Sequence, residues 1–546
     1  MGYLEDRDLE QMASFDAEIS QFISRHQQNP STGRRKTIIL FPGGMGSSLK
    51  WARTPHGVTP YSYDTVWLGC SIMSGAGHLL KMNGDEDDAG HFVIADGCVS
   101  FSVPFVVDLE PYDDFLRWCG QNGFDYFVFA WDWRRRPEAV AAFFLNTFVP
   151  KFRCRVQEAC GVDPFDDVTL LGHSFGGMAI KLILNHGGAI VDKVDRAITV
   201  GTPFYGHAGH IHRYFKGEPQ LDALPGYDKR DLTQLISSMR GPYTLLYLDE
   251  ATYQRDKTAL AQDAAFPMLR YPLRDATTNA VADPYNPGTS GLKRRYPRDW
   301  GFVSAELSHA RDTYQQVAKP LSPLTNMKLH HIRAVQQRNG TNAYDTIHEQ
   351  SWAWIDRDFD PESDETPIED KTVCQGDGVI PAWSARLVSA LPENVHTVFG
   401  DMDDGFEHSD LMSDEGIQDE IFAIIHQTTR RSASMTTKKR STPKPKLASR
   451  EELAAFLDEI RTERSLLAAN DEKQRLAGFS ALARHSPDEL SRLLRRAFAD
   501  LPKSLSQKLG KPPTKRSGEP LHDPDAPPPR TREKPKPRGP RKPKGK

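Results

Sequence analysis

With 546 residues the chain is long enough for one large domain and further segments, yet only 38% of it is hydrophobic, so part of it is expected outside any packed core. The formal charge of −4 is unevenly spread: the last 36 residues carry 12 Lys and Arg against 4 Asp and Glu, a local +8 beside an acidic remainder. Six cysteines (Cys70, Cys98, Cys119, Cys154, Cys160, Cys374) form no Cys-x-x-Cys pair and have no His at ligand spacing, which argues against a metal site and for free thiols.

The start, Met1-Gly2-Tyr3-Leu4-Glu5-Asp6, is acidic and lacks a basic then apolar leader, and no apolar run approaches the roughly 18 residues of a membrane span. A cytoplasmic protein is expected, with peripheral membrane contact left open. Residues 1–35 read as a short helical lead-in. Thr37-Ile38-Ile39-Leu40-Phe41 then reads as a buried strand ending in Pro42-Gly43-Gly44-Met45-Gly46. Further strands are expected at Phe124 to Trp131, Val168 to Leu171, Ala197 to Val200, Leu329 to Val335 and Val395 to Phe399. Helical patterns at Glu138 to Ala159 and Phe175 to Asn185 separate several of them, so the economical fold class is α/β, with a mostly parallel sheet covered on both faces. The stretch from 204 to about 325 is too long for a loop and reads as a cap over the carboxyl ends of the strands.

A main domain over 36–427 is followed by a Ser, Thr, Lys and Pro linker at 428–447. Ser449-Arg450-Glu451-Glu452 and Ser486-Pro487-Asp488-Glu489 have the form of capping boxes, and apolar residues at helical spacing follow each, which predicts a small helical module over 448–509. Residues 510–546, with eleven prolines in the last 36, read as a disordered, solvated cationic arm.

The most telling stretch is Asp167 to Ile180, a strand, a Gly-x-Ser-x-Gly turn and a helix in immediate succession. Such a nucleophile elbow holds its serine, Ser174, in a strained conformation where flanking side chains would collide, and Gly172 and Gly176 remove them. A serine that attacks an acyl group needs a base, a carboxylate to orient the base, and donors for the oxyanion. In this topology the order is Ser, then Asp or Glu, then His. Asp377, between Gly376 and Gly378, suits the carboxylate, with Asp403 and Asp404 as alternatives. Of eighteen histidines, His408 follows the last expected strand and opens a final helix, which suits the base; His396 lies inside that strand and His173 is locked in the elbow. The oxyanion donors expected are the N–H of Phe175 and of Met45, with Gly44 as the alternative to Met45.

These residues resemble the lecithin:cholesterol acyltransferase family, which includes phospholipid:diacylglycerol acyltransferases and phospholipases. The matching runs are Phe41-Pro42-Gly43-Gly44-Met45-Gly46-Ser47-Ser48-Leu49, Leu109-Glu110-Pro111-Tyr112, Trp131-Asp132-Trp133-Arg134, Gly172-His173-Ser174-Phe175-Gly176-Gly177, Gly201-Thr202-Pro203, Gly376-Asp377-Gly378 and Glu407-His408-Ser409-Asp410-Leu411-Met412. They span about residues 36–427 in the family's order. The resemblance implies an α/β-hydrolase fold, a Ser174–His408–Asp377 triad, oxyanion donors at Met45 and Phe175, and a mobile lid over about 51–100. It also raises a Cys70–Cys98 lid disulfide, against the free-thiol expectation. Trp131 departs from the tyrosine usual in the family, as Val379-Ile380 departs from its usual Thr-Val.

The expected function is that of a serine-dependent acyl-ester hydrolase or O-acyltransferase acting on lipid, without a cofactor. The competing class is a binding or scaffold protein on a hydrolase fold whose basic arm does the work. That arm lacks interleaved aromatics, which weakens a nucleic-acid role and leaves an anionic membrane surface or plain solvation.

Overall fold

The computed structural model describes residues 3–426 apart from 29–34, 53–64, 68–79, 84–85, 88–91, 100, 104–106, 110, 218–228, 261, 263–270, 272, 290, 341–342, 347, 356–367 and 402–405. The expected linker, helical module and cationic arm lie outside these residues, as do Cys70, Asp403 and Asp404.

Ahead of the helix Asp113–Gln121 come β1 (Thr37–Phe41), β2 (Ser47–Ala52), β3 (Thr65–Trp67), β4 (Met82–Asn83), β5 (Glu86–Asp87), β6 (Phe92–Cys98), β7 (Phe101–Val103) and β8 (Val107–Leu109). After it come β9 (Asp125–Val128), β10 (Val168–His173), β11 (Val194–Val200), β12 (Leu273–Asp275), β13 (Leu329–Gly340), β14 (Ala343–Thr346), β15 (His348–Ile355), β16 (Ile368–Gln375) and β17 (Val395–Asp401). The central sheet runs β14-β13-β11-β10-β1-β9, with β17 also paired to β13. Every pairing in it is parallel except the β13–β14 hairpin. β1 is buried on both faces, as its uninterrupted apolar run requires in a parallel sheet covered by helices. This strand order, with an elbow after β10, is the α/β-hydrolase arrangement.

The amino-terminal segment is more than a short lead-in. It forms a 26-residue helix, Tyr3–Gln28, whose Met12, Phe15, Ile19 and Phe22 recur at helical spacing and are each at most 2% exposed. Phe15 lies 5.7 Å from Phe127 and Phe22 lies 5.1 Å from Phe152, ring centre to ring centre, so the helix seals the β9 side of the core. The helical pattern at 138–159 is interrupted as well. Pro137–Phe143 passes through a π turn, Phe144–Phe148, into Val149–Cys160. Pro150 has no N–H to continue the ladder, and the wider turn absorbs the missing bond.

Beyond β11 the chain packs around buried tyrosines whose hydroxyls bond to main-chain carbonyls: Tyr243 to Ser237 at 2.9 Å, Tyr271 to Leu248 at 2.8 Å, and Tyr314 to Leu246. The helix Trp300–Ala318 packs against Phe175–His186. A second insertion after β13 adds the antiparallel pair β15–β16, and β12 joins β15 to make a three-stranded sheet. Within the expected lid, β3, β2 and β6 form another antiparallel sheet, fastened to the first helix where the Gln11 amide bonds both main-chain groups of Ala95. Cys98 there is a free thiol, so the Cys70–Cys98 bridge does not form; Cys119, Cys154 and Cys160 are free too. Among the described residues no helix is long and apolar enough to cross a membrane.

Candidate active site

Ser174 stands between β10 and the helix Phe175–His186 with φ 51° and ψ −124°, a backbone conformation that costs a non-glycine residue energy. What holds it there is crowding that only glycine survives. A Cβ on Gly172 would fall 2.6 Å from Gly177, and one on Gly176 would run into the Phe41 carbonyl oxygen of the neighbouring strand. The Ser174 N–H donates to Val200 O at 2.8 Å, tying the turn to β11.

The Gly43–Gly46 turn after β1 lies against the elbow: a Cβ on Gly43 would be 3.0 Å from Ser174 Cβ, and one on Gly44 3.6 Å from Phe175 Cδ1. Gly46 N–H closes the turn onto Gly43 O at 3.0 Å, and Met45 has φ 65°, a second strained residue beside the first. Trp131 braces this corner. Its indole N–H donates to Pro42 O at 2.9 Å and its ring meets that of Phe175 edge-on at 4.9 Å, so the departure from tyrosine still supplies a donor from a large ring.

His408 opens a 3₁₀ turn, His408–Ser413, rather than an α-helix; the helix Glu415–His426 comes after it. The His408 Nδ1–H donates to Asp377 Oδ2 at 2.7 Å, and Ser174 Oγ lies 2.9 Å from His408 Nε2. A carboxylate can only accept, so the proton sits on Nδ1 and leaves Nε2 free to receive the serine proton. Asp377 is 1% exposed, and its other oxygen accepts the N–H of Val379 at 3.0 Å and Ile380 at 2.6 Å. Gly378 has φ 92°, which the tight turn demands. The structure thus joins Ser174, His408 and Asp377 in one hydrogen-bonded line.

His396 lies elsewhere: Glu420 is 2.8 Å from its Nδ1 and His330 3.2 Å from its Nε2, at the amino ends of β13 and β17. A cavity of about 860 Å³ opens there, at the opposite end of the sheet from Ser174. A narrower, mostly apolar pocket adjoins Gly44, Met45 and Phe175; Trp67, Trp133, Leu235, Ile236, Met239 and Leu245 line it, with His210 and Arg213 as its polar members.

Two struts escaped sequence reasoning. Gln336, within β13, donates its amide N–H to Phe406 O at 2.9 Å while its main-chain N–H donates to Gly376 O at 2.8 Å, linking the loops that carry His408 and Asp377. Tyr112 and His173, two residues of the recognised runs, hydrogen-bond each other at 2.9 Å beneath the turn. Burial holds His173 down to about 3, with His408 adding to the effect, so its ring is neutral.

No family model matches the chain, and no curated protein does. Solved structures similar to it include that of the Tle4–Tli4 complex, at 14% identity over 73% of this chain and 99% of that one, TM-score 0.42. Another is the mature lipase BlEst2 of Bacillus licheniformis, at 12% identity over 72% and 96%, TM-score 0.31; its propeptide form gives 13% over 74% and 52%, TM-score 0.27. The resemblance to the lecithin:cholesterol acyltransferase family finds no support in these comparisons, and what the strand order and the elbow establish is the α/β-hydrolase fold.

Proposed function

We propose that the chain is a serine-dependent acyl-ester hydrolase acting on lipid esters. The observation that carries the reading is the line Ser174 Oγ, His408, Asp377 Oδ2, with separations of 2.9 and 2.7 Å, set on a strained elbow. Ser174 Oγ attacks the ester carbonyl as His408 Nε2 takes its proton, and Asp377 holds the ring in the required tautomer and stabilises its protonated form. The N–H groups of Phe175 and Met45 are the donors we assign to the oxyanion, the first because it directly follows the nucleophile, the second because the Met45 turn packs on the elbow. His408 then returns the proton to the leaving alcohol, and a water activated by the same ring releases the acid. The lining beside Met45 and Phe175 is mostly apolar, which is why we name lipid among esters, and the open space within it is about 20 Å³, room for about one water.

An alcohol could replace that water at the acyl-enzyme, since His408 would activate either. The test is incubation of the full chain with labelled phospholipid and with p-nitrophenyl esters, each with and without an acceptor alcohol, followed by product analysis. A fluorophosphonate should label the parent at Ser174 and leave Ser174→Ala unlabelled and inactive. Labelling that persists at another serine would overturn the assignment.

A further inference from the structure

We infer that Tyr112 and His173 are positioning residues that lock the Gly43–Gly46 turn and the main chain of His408 into one frame, an inference that rests on the function proposed above. Gly43 N–H donates to the Tyr112 hydroxyl at 2.7 Å. That hydroxyl lies 2.9 Å from His173 Nδ1, and His173 Nε2 lies 3.0 Å from His408 O. A carbonyl oxygen can only accept, so Nε2 carries the His173 proton; the ring is neutral, so Nδ1 is bare and the Tyr112 O–H donates to it. The direction of every bond is thereby fixed, from the main chain of the turn to the main chain of the base.

The frame has little room to slip. Tyr112 is 1% exposed and His173 is 4% exposed, so neither can exchange its partner for bulk water. A Cβ on Gly46 would fall 2.7 Å from the Tyr112 oxygen, so the turn is moulded around the phenol. The His173 ring packs on that of His408 at 5.0 Å. Burial pushes the Tyr112 hydroxyl up as it pushes His173 down, which keeps the proton on oxygen and off the ring. If the frame yields, the Met45 donor and the His408 ring lose register with Ser174 together, and misplacement on the scale of an ångström can cost a hundredfold in rate.

The test uses the full chain, p-nitrophenyl butyrate and a fluorophosphonate that counts working sites. Tyr112→Phe leaves the Gly43 N–H and His173 Nδ1 unanswered. It should lower kcat per labelled site about 10- to 100-fold, with KM moving less than about twofold. A merely structural role would reduce the number of labelled sites and leave turnover per site unchanged. His173→Gln keeps a donor for the His408 carbonyl and should retain about tenfold more turnover per site than His173→Leu. Imidazole ¹⁵N spectra supply a reading that needs no turnover. His173 should hold the neutral Nε2–H form from pH 5 to 8, and Tyr112→Phe should shift the His408 ring signals. Parental kcat per site in both Tyr112→Phe and His173→Leu would overturn the inference, and so would unmoved His408 signals. A parent that neither turns over ester nor labels at Ser174 would instead defeat the proposed function, and the spectra would still decide the frame.

Discussion

The indole N–H of Trp67 donates to the carbonyl oxygen of Met45 at 2.8 Å, so strand β3 of the expected lid grips the peptide next to a proposed oxyanion donor. Arg213 reaches the same residue at its sulfur, Nη1 lying 3.7 Å from Met45 Sδ. Removing an oxyanion donor outright costs about 10²–10³ in kcat. Trp67→Phe, which loosens the donor without removing it, should cost about 10-fold on a soluble ester. Unchanged kcat would show that the turn keeps its shape without β3.

Asp377→Asn keeps the side-chain oxygen that answers Val379 and Ile380 but cannot hold His408 in the same tautomer. Turnover should fall by about 10⁴, as in the serine-protease precedent, with little change in melting temperature. Near-parental activity would move the orienting role to Asp403 or Asp404.

Gly176 and Gly177 should respond differently to alanine. The Gly176 Cβ would meet main chain of β1, which has nowhere to go, whereas the Gly177 Cβ would meet the Thr202 side chain. Chemical denaturation should therefore show Gly177→Ala partly rescued by Thr202→Gly, and Gly176→Ala not rescued by it. Equal rescue of both would contradict this packing.

Arg136 grips Glu306 with bonds of 2.7 to 3.0 Å, joining the segment after β9 to the helix Trp300–Ala318. Glu306 is 2% exposed, and Arg136→Met leaves it with Arg240, whose Nε lies 3.4 Å from Oε1, in place of two partners, so a loss of about 1–3 kcal/mol is expected. Adding Glu306→Gln should recover much of it in urea unfolding; a double variant as weak as the single would place the cost elsewhere.

Acid should loosen the fold through its buried imidazoles. Burial holds His331 and His173 down to about 3 and His330 to about 4, so below about pH 6.5 the unfolded chain takes up protons that the folded chain refuses. Stability from these rings is complete above that pH and drains as pH falls toward 3. Glu18, pushed up to about 7 by burial, acts in the opposite sense over part of the window, so the measurement has to be differential. Between pH 7 and 5 the parent should lose about 2 kcal/mol more than His331→Gln. Parallel curves would show that His331 is protonated in the folded state.

What could be read from the sequence was local. The elbow, the Gly-Asp-Gly turn and the position of His408 after the last strand are each a few residues whose backbone chemistry announces itself. Gln336 with Phe406, Tyr112 with His173, and Trp67 with Met45 are pairs between distant segments, and a lone Gln, Tyr or Trp gives no sign of its partner before the chain is folded. The first helix was under-read because Met12, Phe15, Ile19 and Phe22 sit in a mainly polar stretch. The β15–β16 pair escaped because it falls inside an insertion that only tertiary contact organises.

Lys36, at the foot of β1, donates from Nζ to Ile425 O at 3.1 Å, so the helix Glu415–His426 ends beside the amino ends of the parallel strands. Ser174 emerges at the other end of those strands, roughly 20 Å away at about 3.3 Å per residue. The end of that helix, His426, therefore lies at the pole of the domain remote from the nucleophile. A surface laid against that pole would meet the back of the molecule and leave the mouth of the site turned away from it.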